Sequence, residues 1–230
     1  MVLSIGENVT TSFEFAKDGL VGYWTRWLIL FVAGCIPIVN FITFGYLVKI
    51  YRGVDAAPEL EGYLEMFIDG LKLLIIEIVY IIVPLMLIVA STAFMETETV
   101  VETIDVSGMT ITTGATIMPA SEPTGVGLAL ILIGALLAVI FSLVATIAGI
   151  RFAKTGEFGE GFNFGAIFET INEIGWGHYI LASIVFIIVV CIIAVVLSLI
   201  PYIGELLVMI IVPLLILWQG KFFENLYSCA

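Results

Sequence analysis

The sequence predicts an all-α fold: a polytopic transmembrane helix bundle with an internal parallel duplication and two short amphipathic cytoplasmic helices. Three observations carry this. Hydrophobic residues make up 61% of the chain and charged ones only 12%, whereas a soluble domain is ~45–50% apolar. Several apolar runs approach or exceed the ~20 residues that cross a ~30 Å hydrocarbon core at ~1.5 Å per residue. The third observation is that two parts of the chain follow one plan: inward span, basic pair, glycine-containing loop, amphipathic helix, outward span. Lys49, Arg52 and Gly53 align with Arg151, Lys154 and Gly156, and Met66-Phe67 with Ile167-Phe168. The ~10-residue alternating segments of a membrane β-barrel are absent.

All 230 residues fit a single membrane domain. Its first half is 10–94 with a helix break at 34–40. An acidic loop at 95–126 follows, then a second half, 127–222, with a break at 200–204. The N-terminus has no basic region and no small-residue cleavage site, so no signal peptide is expected. Ser12 to Leu20 reads as a short surface helix with Phe13, Ala16 and Leu20 on one face. Tyr23, Trp24 and Trp27 form an interfacial aromatic cluster around Arg26.

Trp27 to Val48 is apolar but interrupted at Gly34-Cys-Ile-Pro37. It is either one kinked span or a helical hairpin turning near Pro37. The similar break Ile200-Pro201-Tyr-Ile-Gly204 favours the hairpin. The connection after Arg52 is amphipathic: Leu60, Tyr63, Leu64, Phe67 and Leu71 follow a helical stripe, while Glu61, Glu65 and Asp69 repeat every four residues on another face. Those three acids form a candidate partner-binding face. Leu71 to Phe94 crosses outward with Glu77 only ~7–8 Å past Lys72. Residues 95–126 hold five acids and no Lys or Arg. Ile104, Val106, Met109 and Ile111 alternate there around Ser107-Gly108, the pattern of a small hairpin. Gly127 to Ile150 returns inward. Phe164, Ile167, Phe168 and Ile171 make the second amphipathic stripe, and Tyr179 to Ile200 crosses outward before the last apolar run, Leu206 to Gln219.

Lysine and arginine mark cytoplasmic segments. The expectation is therefore six membrane-embedded helices in the cell membrane, both termini cytoplasmic and 95–126 extracytoplasmic. The alternative is five spans with the N-terminus outside.

The motif residues also carry a resemblance. Ile36-Pro-Ile-Val-Asn-Phe41, Gly45-Tyr-Leu-Val-Lys49, Pro58-Glu-Leu and Phe67-Ile-Asp-Gly-Leu-Lys72 with Tyr80 resemble an uncharacterised prokaryotic membrane family, common in archaea and known as a domain of unknown function. The likeness is densest over residues 10–90. It implies an archaeal source and brings no activity, cofactor or site residue with it.

The net charge of −12 argues against nucleic acid and against adhesion to anionic lipid. Cys35, Cys191 and Cys229 are widely spaced and form no CxxC, and His178 is the single histidine. No catalytic motif, cofactor site or metal-ligand spacing appears. The reading is a non-enzymatic accessory or scaffold subunit that binds membrane lipids, other membrane proteins or a second copy of itself. The alternative is a small solute transporter or channel built on the paired helix breaks, because interrupted helices at corresponding positions mark substrate sites. Intramembrane candidates are Glu77, Glu205, Pro37, Asn40, Pro201 and Gly204.

Overall fold

In a computed structural model of the chain, described for residues 4–106, 109–200 and 203–229, eight α-helices and a two-stranded antiparallel hairpin succeed one another. Side chains of residues 96–122 and 205 lie outside the description. The helices are α1 (Ile5–Leu20), α2 (Trp24–Cys35), α3 (Asn40–Tyr51), α4 (Tyr63–Ser91), α5 (Gly125–Thr155), α6 (Phe164–Ile174), α7 (Trp176–Ser198) and α8 (Gly204–Ser228), with strands β1 (Met95–Val106) and β2 (Met109–Pro123) between α4 and α5. The chain divides into two compact units, Met1–Ile78 with Leu143–Ala230, and Val79–Ser142. Among the described residues, four helical segments are long and apolar enough to cross a membrane: Tyr63–Phe94, Gly125–Thr155, Trp176–Ser198 and Leu206–Ser228. The chain has the make-up of a multi-pass membrane protein.

Local chemistry sets the boundaries. Ser4 opens α1 with a capping box: its hydroxyl accepts from Glu7 N at 3.3 Å, and Glu7 Oε2 accepts from Ser4 N at 3.1 Å. The helix begins earlier than residue 12 because Asn8 and Ser12 are inner-face residues. Both are buried in line with Ala16 and Leu20. Asn8 Nδ2 donates to Phe222 O at 3.0 Å, and Trp218 Nε1 donates to Ser12 Oγ at 3.1 Å. Helix α2 stops at Cys35 because Pro37 disfavours helical geometry at the residue before it, and α3 restarts at Asn40. The two helices pack against each other, so residues 27–48 form a hairpin and not one kinked span. Each arm has 12 residues and is only ~18 Å long. Neither arm alone is long enough to cross a ~30 Å hydrocarbon core.

The first unit's core surrounds α3. Tyr46, Val48 and Ile50 are fully buried there, with Ile147, Ile150 and Ile167 among their buried counterparts. Helix α8 supplies an aromatic cluster with α7: Phe186 stacks on Phe222 at 4.7 Å between ring centres and meets Trp218 edge-on at 5.2 Å. Gly53 closes α3 at φ +86°, a conformation that disfavours any Cβ.

The two amphipathic segments depart from the expected pattern. The first is no separate helix but the opening of α4. Its buried face is Met66, Asp69, Gly70 and Leu73, whereas Tyr63, Leu64 and Leu71 are exposed. In a lipid-facing helix an apolar stripe has no reason to turn inward. The second is the short helix α6, capped by Asn163 Oδ1 accepting from Ala166 N at 3.3 Å. Ile167 and Ile171 are buried, and Phe164 and Phe168 face outward.

Before α6, Arg151 and Glu160 form an ion pair, and Glu160 Oε1 also accepts from Asn163 Nδ2 at 3.1 Å. The bond from Arg151, and then that from Asn163, holds the Glu160 carboxyl below its usual 4.5. A lowered folded-state value stabilises the fold above the unfolded value and stops doing so as pH falls through the folded one. The thermal midpoint of Glu160→Gln should thus lie below wild type at pH 7, and the gap should close below about pH 4.5. A gap constant with pH would contradict the pairing.

In the second unit, β1 and β2 pair with Val106 opposite Met109 and Ile104 opposite Ile111. This is the register expected around Ser107-Gly108, which themselves lie outside the described residues. The strands reach 12 and 15 residues, so the acidic stretch is a long ribbon and not an open loop. Tyr80 and Phe141 meet edge-on at 6.5 Å within this unit.

Candidate functional site

Helix α2 is only lightly embedded in the first unit. Of its residues only Leu30 and Ala33 are buried. Four cavities border it in succession, each sharing a residue with the next.

The first cavity, about 340 Å³, is polar and is lined by Asp18, Tyr23, Arg26, Asp55, Ala57 and Glu59, among others. Arg26 Nη1 donates to Gly19 O at 2.8 Å and to Ala57 O at 3.4 Å, and the guanidinium stands 4.9 Å from the centre of the Tyr23 ring. Among the described residues it makes no ion pair. Tyr23, Arg26 and Glu59 also border the second cavity, about 460 Å³, which reaches Trp24. Trp24 opens the third, about 560 Å³ and walled by Trp24, Trp27, Leu28, Phe31, Leu206 and Ile210. Trp24 and Trp27 stack there at 5.9 Å.

Phe31 leads to the fourth cavity, about 200 Å³, between α2, α3 and α8. It lies at the helix break, with Asn40, Cys35, Met209 and Pro213 on its walls. Pro213 has no N–H, so Met209 O loses its helical donor. One residue on, Ile210 O accepts from Trp27 Nε1 at 2.7 Å. The indole thereby ties α2 to the turn of α8 that precedes Pro213. The lining along α2 thus passes from the charge at Arg26, through the Trp24 and Trp27 rings, to apolar walls.

The intramembrane candidates scatter. Asn40 is half-buried at the fourth cavity and Pro37 is exposed in the turn above it. Gly204 starts α8 where a Cβ would stand 3.1 Å from Ser198 Cα. Pro201 and the Glu205 side chain lie outside the described residues. Glu77 is exposed on α4 and forms no ion pair among the described residues. The acids Glu61, Glu65 and Asp69 do not share one open face. Asp69 is buried, 2.5 Å from Arg52 Nη2 and 3.5 Å from Lys72 Nζ. Glu65 lies 3.4 Å from Arg52, and Glu61 offers its carbonyl to Lys49 Nζ at 2.6 Å. No three His, Cys, Asp or Glu side chains among the described residues are grouped to hold a metal ion.

A family model described as a protein of unknown function, DUF4013, matches residues 28–202. The chain belongs to the DUF4013 family. No curated protein and no solved structure matches it. The DUF4013 segment takes in most of α2, the break, α3 and the helices through α7. Trp24, Arg26, Trp27 and α8 lie outside it, whereas Asp55 and Glu59 of the polar cleft in this DUF4013 protein lie within it. The cleft was missed in the sequence because Asp18, Arg26 and Asp55 sit on three separate segments, and each looks like ordinary interfacial charge.

Proposed function

We propose that the chain is a non-enzymatic membrane protein that holds a membrane lipid along α2, as an accessory or scaffold subunit. The observation that carries this reading is the continuity from the Arg26 cleft, past Trp24, to the apolar trough on Leu28 and Phe31. Arginine and tryptophan together suit the headgroup level of a bilayer. We further propose that both termini are cytoplasmic and the hairpin extracytoplasmic. All eight lysines and arginines fall in residues 1–78 and 143–230, and the five acids of 95–126 have no basic neighbour in sequence.

Full-length protein purified in mild detergent should retain lipid detectable by native mass spectrometry. Replacing the exposed walls, Trp24→Ala with Leu28→Ala, should lower retained lipid several-fold without shifting the thermal midpoint. Wild type that carries no lipid after reconstitution into vesicles would sink the proposal. The cavity at the break, with Asn40 on its wall, favours a second reading as a solute transporter. That reading requires flux in liposomes that Asn40→Leu abolishes.

A further inference from the structure

We infer that the lipid held along α2 carries a zwitterionic head group, with its phosphate on Arg26 and its ammonium among Asp18, Asp55 and Glu59. This rests on the lipid reading above and names the class of lipid.

Arg26 presents a planar fork of five N–H donors. Only Nη1 is engaged, by two backbone carbonyls. The remaining donors are the geometry that pairs with phosphate oxygens. Yet the cleft is not basic. Asp18, Asp55 and Glu59 share its walls with the single arginine, and all three side chains are exposed and free to move toward a ligand. A purely anionic head group would bring its charge among three carboxylates and would be repelled. A neutral one would leave the guanidinium unanswered. A phosphate bearing a tethered ammonium answers both signs at once. The chain's net charge of −12 works against anionic lipid in the same direction. The cleft then opens beside Trp24 onto the apolar trough, where the acyl or isoprenoid chains would lie.

The test uses full-length protein in nanodiscs, titrated with phosphatidylethanolamine, phosphatidylglycerol and diacylglycerol of identical chains, with bound lipid read by native mass spectrometry. Phosphatidylethanolamine should be held about tenfold more tightly than phosphatidylglycerol, a difference of about 1.4 kcal/mol. Asp55→Asn with Glu59→Gln should bring that ratio close to one, weakening the first lipid and strengthening the second. Arg26→Gln should remove the preference for either phospholipid over diacylglycerol. Because Arg26 also holds backbone carbonyls, its variant is read only where the thermal midpoint is kept. The double variant changes exposed groups and carries the test alone if Arg26→Gln fails to fold. Equal binding of the two phospholipids by wild type, or a ratio unmoved in the double variant, overturns the zwitterion while leaving the lipid reading intact. Failure of folded protein to retain any of the three overturns both.

Discussion

Glu224→Ala should destabilise the protein by about 3–5 kcal/mol, the range for stripping one partner from a buried ion pair. Glu224 is 3% exposed. Its Oε1 lies 2.9 Å from Lys154 Nζ and its Oε2 lies 2.9 Å from Lys221 Nζ, while Ser228 Oγ donates to it at 2.5 Å. Lys221 also donates to Val54 O at 2.9 Å. One carboxylate thus balances two ammonium groups from two helices and pins the loop after Gly53. Without it, two like charges share a poorly hydrated site. Unfolding followed by tryptophan fluorescence in detergent would measure the loss. Replacing all three charged residues with methionine should recover most of it, since well-packed apolar groups often match a buried ionic cluster. A loss under about 1 kcal/mol would mean that water reaches the cluster and the charges are screened.

Gly45→Ala and Gly70→Ala should each prevent α3 and α4 from docking. A Cβ on Gly70 would stand 2.7 Å from Gly45 N and closer still to Phe41 O, and a Cβ on Gly45 would overlap the backbone at Met66. These obstacles are main chain and cannot rotate aside. Overpacking a core costs about 1–3 kcal/mol where side chains can yield, so each alanine should exceed that range. Small residues permit such close helix approach in membranes, where no hydrophobic force between helices compensates for a gap. The measurable outcome is loss of monodisperse protein on size exclusion in detergent. The control Gly165→Ala, where only the Asn163 side chain comes within 4 Å, should behave as wild type. Alanine at Gly45 with an unchanged thermal midpoint would contradict the packing.

The sequence announced its apolar helices plainly, because burial in lipid demands long runs that composition alone reveals. The stop at Pro37 and the alternation about Ser107-Gly108 were equally legible, being local backbone chemistry. What it concealed were inner faces. Asn8 and Ser12 are polar yet hydrogen-bond to α8, and Leu64 is apolar yet faces outward. Hydrophobicity does not distinguish lipid from core, so the stripe through Tyr63, Leu64 and Leu71 carries no sign of which side it faces. Asp69 was read as part of an open acidic face although Arg52, seventeen positions earlier, engages it. Lys221 and Glu224, three apart on α8, were a signal at hand. Lys154, seventy residues away, was not, and neither were the three segments meeting at Arg26.

The tether from Trp27 to α8 has a kinetic consequence. With two buried residues, the indole bond and the Arg26 bonds to Gly19 O and Ala57 O holding it, α2 is lightly anchored, and local opening is cheapest where buried contacts are fewest. Backbone amides of α2 should exchange with deuterium ahead of those of α3. On the lipid reading proposed above, such an opening would let a chain-bearing guest enter from the plane of the bilayer without first passing through water.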